Sequence, residues 1–297
     1  MTGDTKRPRL PRHRRLAEDE RPPMQLTARD CEVIRAVNEH RLLSTEQIEA
    51  LFFTSRSTAQ YRLSRLFQHE FLDRHFLSVV THAPAKSPAL YTLGKRGAQL
   101  LVDRFNYDRS RIRLLKRANL GWQTVEHTLK VNDLRVAITL ACRAADLTLE
   151  TWLDEAAFRA QPDYTVVKDK SGRERRKPVF PDGYFAVRSP QGTARFFVEV
   201  DRGTELLSRF APQIAVYEAY VDSGQYQERF EARSLRILVV TTTARRLSSL
   251  VRVTQGAGGD RKYHFATFDQ ISPATVLTGA IWRRLETDGL TALIAEE

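Results

Sequence analysis

The sequence predicts an α/β (α+β) chain of two domains: three helices and a β-hairpin first, then a mixed sheet flanked by helices. Three observations predict it. Up to about residue 67, apolar residues recur at helical spacing behind capping residues. Past residue 120, strand-like runs interleave with helical ones. The net charge of +11 is uneven: residues 1–23 carry +3, residues 24–120 carry +7 and residues 121–297 carry +1. A basic first part joined to a near-neutral second part suggests a polyanion as partner of the first. The expected division is a disordered basic tail over 1–23, a first domain over 24–105, a basic linker over 106–120 and a second domain over 121–297.

Taken in order, residues 1–23 are rich in Arg and Pro and read as an unfolded tail able to track phosphates, or as a solvated leader. Thr27 caps a helix that runs through Val33, Ile34 and Val37 to about residue 40. Ser44 and Gln47 form a capping box that opens a short second helix. Ser57 caps a third helix, with Tyr61, Leu63, Leu66 and Phe67 on its apolar side. A strand begins at Leu72, and residues 76–81 pair with 89–93 across a loop over 82–88. Gly94 ends the hairpin, and residues 95–105 are helical.

Three helices followed by a hairpin is the order of a winged helix-turn-helix. In such domains the third helix enters the major groove of double-stranded DNA. Its outward residues are expected to be Arg56, Ser57, Thr58, Gln60, Arg62 and Arg65. Arg and Gln can bond base edges, and Ser and Thr can bond phosphates. Lys86 lies where a wing tip would reach the DNA backbone. The alternative is a winged helix used for protein contacts, with these charges solvated.

In the second domain, residues 122–144 read as a long helix and 148–152 as a strand. Residues 156–161 give no clear signal, and 168–177 read as a charged turn. Strands follow over 179–187 and 194–201, then a helix over 204–221 despite Pro212. Residues 235–241 are almost continuously apolar, as in a strand buried on both faces. A helix over 244–253 and a strand over 263–267 complete the pattern.

The chemistry is concentrated in Pro181-Asp182-Gly183 and Glu199-Val200-Asp201. Side chains alternate along a strand, so Phe196, Val198 and Val200 share one face, while Phe197, Glu199 and Asp201 share the other. Asp182 and Glu199, on neighbouring strands, would form a site for a hard cation such as Mg²⁺ or Mn²⁺, which can cut phosphodiesters. The plainer alternative is a pair of strand-end surface carboxylates.

This pattern resembles the core of the PD-(D/E)xK nuclease superfamily, a restriction-endonuclease-like mixed-sheet fold. The resemblance implies Asp182 and Glu199 as metal ligands and Glu126, on the first helix, as a further acid. The Lys of that motif is replaced by Asp201, which would serve as a third ligand or a base. Alternatively Gln213 and Tyr217 contribute, in a Gln-x-x-x-Tyr spacing similar to that of an exonuclease branch of the superfamily. Their plainer reading is packing or solvation of the helix.

Other chemistries find little support. Cys31 and Cys142 make neither a disulfide framework nor a zinc motif, and this fits a reducing cytoplasm. The histidines lack metal-ligand spacing, no nucleophile elbow is present, and no Gly-rich phosphate loop occurs. No run approaches the roughly 18 apolar residues of a membrane span, and the charged, Pro-rich start does not read as a secretory signal.

Over residues 27–280 the sequence resembles the replication-relaxation family of plasmids and integrative elements. The segments that carry the likeness are Leu26-Thr27-Ala28-Arg29-Asp30, the Ser57–Phe67 helix, Tyr91-Thr92-Leu93-Gly94, Glu126-His127, Asn132-Asp133, Pro181-Asp182-Gly183, Glu199-Val200-Asp201-Arg202-Gly203-Thr204-Glu205 and Val239-Val240-Thr241-Thr242. The resemblance implies a DNA-binding accessory of replication, relaxation or transfer; the alternatives are a regulator with vestigial carboxylates and a scaffold with a relaxase or replication proteins as partners. A homodimer is compatible with a winged helix. Where that family carries a Lys ahead of the Tyr, this chain has Gln213.

Overall fold

Asp30 is fully buried, and four hydrogen bonds converge on its carboxylate. It sits in the first turn of α1 (Ala28–Glu39), where it closes a capping box with Thr27. The Thr27 amide and hydroxyl each donate to Asp30 Oδ2 at 2.7 Å. Arg62 then donates Nε to Oδ1 at 3.0 Å and Nη2 to Oδ2. Arg62 belongs to α3 (Arg56–Gln68), so one carboxylate both starts α1 and ties α3 to it.

The computed structural model describes residues 10–76, 88–115, 121–169 and 171–294. The chain falls into two compact units, residues 1–133 and 134–297. The division lies inside α5 (Trp122–Ala144), downstream of the linker expected over 106–120.

In the first unit, α2 (Thr45–Phe52) opens on the Ser44–Gln47 capping box. β1 (Leu43–Ser44), β2 (Leu72–Phe76) and β3 (Ala89–Leu93) form a small sheet in the order β1-β3-β2, antiparallel throughout. The strand paired with β3 is thus Leu72–Phe76, upstream of the 76–81 run expected; residues 77–81 lie outside the described residues. The helix α4 (Lys95–Phe105) follows at once. Its start touches the backbone before β2: a Cβ on Gly97 would lie 2.2 Å from the Phe71 carbonyl oxygen. The first part of α5 packs here too, with Val125 and Leu129 against Leu42 and Leu90. Asn132 donates to the Leu42 carbonyl at 2.7 Å, and Gln47 donates to Asp133 at 2.7 Å.

Two expectations are corrected. Residues 10–23 are not a free tail but a strap bonded to α3 and β2. Arg15 donates to the Phe67 carbonyl at 2.8 Å, pairs with Asp73 at 2.5 Å and lies over the Phe67 ring. Gln68 accepts from the Leu16 amide at 2.7 Å and donates to the Arg14 carbonyl at 3.0 Å. Arg74 donates to the Pro11 carbonyl at 3.0 Å. A Pro-rich segment offers carbonyl acceptors and few amide donors, and guanidinium groups satisfy them. The second correction follows. Arg62 and Arg65 do not point outward: Arg62 is held by Asp30, and Arg65 donates to the carbonyls of Pro22 and Pro23. Residues 1–9, Lys86, and Lys116 and Arg117 of the joint lie outside the described residues.

The second unit is built on a seven-stranded mixed sheet in the order β12-β11-β10-β9-β8-β7-β4. Its strands are β4 (Thr148–Asp154), β7 (Gly183–Ser189), β8 (Gly192–Asp201), β9 (Arg236–Thr241), β10 (Tyr263–Thr267), β11 (Trp282–Arg284) and β12 (Leu290–Thr291). β8, β9 and β10 run parallel, and every other pairing is antiparallel. A bulge interrupts β4 between Leu149 and Thr151. β5 (Asp163–Lys168) and β6 (Glu174–Val179) form a separate two-stranded ribbon where a charged turn was expected.

The helix α7 (Phe210–Asp222) tolerates Pro212 because that residue lies in the first turn, where the amide has no intrahelical partner. Short helices α6 (Glu155–Ala160) and α8 (Gln225–Phe230) were not resolved from sequence. α9 (Ala244–Gly256) follows β9. One face of β8 buries Phe197 among Tyr217, Tyr220 and Tyr226 of α7 and α8. Both cysteines are free and buried. Among the described residues, no helix is long and apolar enough to cross a membrane.

Two outcomes are expected. Arg62→Ala leaves Asp30 buried and lacking its guanidinium, and should cost about 3 kcal/mol of unfolding free energy in urea titration. Gly97→Ala forces α4 off the β2 turn and should cost about 1–3 kcal/mol in the same assay.

Candidate active site

The register of β7 and β8 assembles the site. Gly183 is level with Val198, so Asp182, one residue before, comes level with Glu199, one residue after. The Val200 amide donates to Asp182 Oδ2 at 2.8 Å, which fixes the Asp182 side chain against β8. Glu199 is buried, on the same face as Phe197. Opposite it stands α7, whose Tyr217 donates its hydroxyl to Glu199 Oε1. Gln213, one helical turn earlier, donates Nε2 to the Tyr217 oxygen at 3.1 Å and also bonds Glu199. The structure therefore brings together Asp182, Glu199, Gln213 and Tyr217.

The electrostatics of this cluster are acidic. Burial, and then the nearby Asp182 carboxylate, push Glu199 well above the usual carboxylate range, against the pull of the Tyr217 and Gln213 hydrogen bonds. Glu155 at the start of α6 adds to the same push. The Tyr217 hydroxyl is also raised, by burial first and Glu199 second. Two crowded carboxylates, acted on by a third, favour a bound cation. Their donors are hard oxygens, which suit Mg²⁺ or Mn²⁺ rather than Zn²⁺. Among the described residues no group of three or more His, Cys, Asp or Glu side chains is placed to hold a metal. A pair still fits Mg²⁺, which is commonly held by one or two carboxylates with water and substrate phosphate completing the shell.

Asp201 is occupied otherwise. Arg246 of α9 donates to both its carboxylate oxygens, at 2.9 and 2.8 Å, and the Thr241 hydroxyl donates at 2.6 Å. A carboxylate bonded on both oxygens by a guanidinium and a hydroxyl has little lone-pair capacity left for a metal or a water, so the expected role as ligand or base is not the one its contacts favour. No local sequence signal linked Asp201 to Arg246, which lies 45 residues on. Glu126 lies half-buried in the part of α5 that belongs to the first unit.

On α3, Arg56, Ser57 and Gln60 are exposed and Thr58 is half-buried. Arg56 pairs with Glu46 at 2.9 Å, and the Ser57 hydroxyl meets that of Ser55 at 2.9 Å. Sequence reasoning missed the β5–β6 ribbon. It is basic and partly apolar: Arg175, Arg176 and Lys177 are exposed, as are Tyr164 and Val166, and Arg176 lies 4.0 Å over the Tyr164 ring. The run Arg175-Arg176-Lys177, set between Glu174 and Pro178, was the available signal.

Arg246→Ala should strip a mostly buried Asp201 of its partner and lower stability by about 3 kcal/mol, measured by urea denaturation. The milder Asp201→Asn, which keeps the shape, should leave any activity that depends on Asp182 and Glu199 within about threefold of wild type.

Comparison with known proteins adds a family. No curated protein matches the sequence. Among solved structures, the restriction endonuclease FokI is similar at 11% identity with a TM-score of 0.27, covering 80% of this chain and 41% of its own. This chain therefore spans under half of that enzyme's length, and the likeness is too remote to carry over any of its properties. The family described as Replication-relaxation matches residues 34–232, most of the chain, and the protein belongs to that family.

Proposed function

We propose that this protein processes DNA in the replication, relaxation or transfer of a plasmid or mobile element, and that its second unit nicks DNA with Mg²⁺ or Mn²⁺. The observation that carries this reading is the juxtaposition of Asp182 and Glu199 on adjacent strands, with Tyr217 and Gln213 bonded behind Glu199. Asp182 and Glu199 would hold the metal. When bound, such an ion supplies charge neutralisation at the phosphate and an activated water. Tyr217 and Gln213 are positioning residues that fix the Glu199 carboxylate.

Double-stranded DNA is the proposed partner. In the first unit, the start of α3, with Arg56, Ser57 and Gln60 exposed and Thr58 half-buried, is the part open to a groove, in keeping with a winged helix. In the second unit, the β5–β6 ribbon has the width a major groove admits, and it leads within three residues to Asp182. Its exposed Arg175, Arg176 and Lys177 would neutralise phosphates.

A second reading has its own support. Asp201, where related nucleases carry Lys, is locked to Arg246, and this favours a DNA-binding accessory or regulator on a degenerate nuclease fold. A scaffold for a relaxase or replication initiator would show tight, salt-insensitive protein binding and negligible DNA binding.

The test is incubation of supercoiled plasmid with Mg²⁺ or Mn²⁺ and either the wild type or an Asp182→Ala, Glu199→Ala variant. Nicked or linear product is expected from the wild type, with a drop of about a hundredfold or more in the variant. No product, with a gel shift kept by both proteins, would overturn the nuclease and leave the binding factor.

A further inference from the structure

At the other end of the central strands lies a cavity of about 370 Å³. It sits where β9 and β10 begin, with Arg236 as the first residue of β9 and Lys262 just before β10. Glu199 and Asp201 stand near the far end of β8, which runs parallel to β9. Arg236 is level with Phe196, five residues before Asp201, and this sets the two places about 16 Å apart along the strands.

The charged lining is Arg233, Arg236, Arg261, Lys262, Arg284 and Asp260. Lys262 is already committed, to Glu218 and to Asp260. Among the described residues no ion pair joins Arg233, Arg236 or Arg284 to a carboxylate, and Arg261 shares the field of Asp260 with Lys262. Arg236, half-buried, donates to the Leu293 carbonyl at 2.6 Å, and Arg284, also half-buried, donates to the Arg261 carbonyl at 3.0 Å. These acceptors are neutral, and the only other contact of the Arg236 guanidinium among the described residues is the Phe196 ring, 5.5 Å away, so neither arginine meets a negative charge. The contrast within the same unit is plain: Arg229 meets Asp163, and Arg246 meets Asp201. Burial, and then the neighbouring Arg284, lower Arg236 below the usual guanidinium value. His264, which also lines the cavity, is driven down to about 4, mainly by burial, and so is neutral.

A guanidinium partly withdrawn from water without a carboxylate, as at Arg236 and Arg284, is favoured by an anion beside it, whereas the exposed Arg233 and Arg261 are solvated and free to turn toward one. Several planar forks suit a phosphate better than a single carboxylate, because a phosphate monoester offers more charge and more acceptor oxygens. The volume lies within the range of small-ligand sites and leaves room for more than the phosphate alone. We propose that this cavity is a phosphate-monoester site, with Arg236 and Arg284 as its inner ligands and Arg233 and Arg261 at its mouth. The monoester comes from a free nucleotide or from a phosphorylated strand end. The inference does not depend on the carboxylate site.

The test is calorimetric titration of the full chain, without divalent metal, using inorganic phosphate, dAMP, and one short oligonucleotide with either a 5′-phosphate or a 5′-hydroxyl. Saturable binding of phosphate and dAMP is expected, weakened about tenfold or more by Arg236→Gln with Arg284→Gln. The exposed Arg252→Gln control, and an Asp182→Ala, Glu199→Ala variant, should bind as the wild type does. Preference for the 5′-phosphorylated oligonucleotide over both dAMP and the 5′-hydroxyl form assigns the site to strand ends; equal or tighter binding of dAMP assigns it to free nucleotide. If the inner double variant fails to fold by circular dichroism, Arg233→Gln with Arg261→Gln replaces it and should also weaken binding. Absence of saturable binding, or binding unchanged in a folded arginine variant, overturns the proposal.

Discussion

The second unit depends on β8. This strand is antiparallel to β7 on one side and parallel to β9 on the other, with Phe196, Phe197 and Val198 fully buried along it. Burial on both faces fixes its register, because a slip of one residue would exchange the faces and bury the wrong side chains. That register sets Glu199 level with Asp182 and under Tyr217. The aromatic packing around Phe197 and the position of the acidic pair are therefore one constraint. Any change that loosens the first disturbs the second.

Much of this was legible in the sequence, for identifiable reasons. The alternation in Phe196 to Asp201 separated Phe197, Glu199 and Asp201 from their neighbours, and the structure has Phe197 and Glu199 on the face that meets α7. The Ser44–Gln47 capping box marked a helix start because its side chains bond the backbone locally. What sequence reading missed were interactions between distant segments and elements too short to show a period. α6 and α8 have six residues each, and β12 has two. Arg62 and Arg65 look like solvated helix charges until the strap and α1 are in place to receive them. Polarity alone does not say whether an arginine meets water, a carbonyl or a buried carboxylate.

Charge in this protein is accordingly spent in two ways. In the first unit, much of the basic excess is internal cement: Arg15, Arg21, Arg62, Arg65 and Arg74 all bond within the unit. A count of positive residues there overstates what is offered to a polyanion. In the second unit, net charge is near zero, yet local fields are strong. Acid gathers at one end of β8, and arginines gather where β9 begins. Near-neutral totals conceal sharply polar sites.

The two margins of the seven-stranded sheet carry a further consequence. An open sheet edge is a template on which another chain can add a strand. Here one margin ends in β12, only two residues long, and the other in β4, whose ladder is broken by a bulge. Neither offers the long, flat row of unpaired backbone groups that seeds edge-to-edge aggregation. A further strand would have to add to two residues at one margin or follow a bulged strand at the other, so the backbone pairing of this sheet is largely completed within the chain.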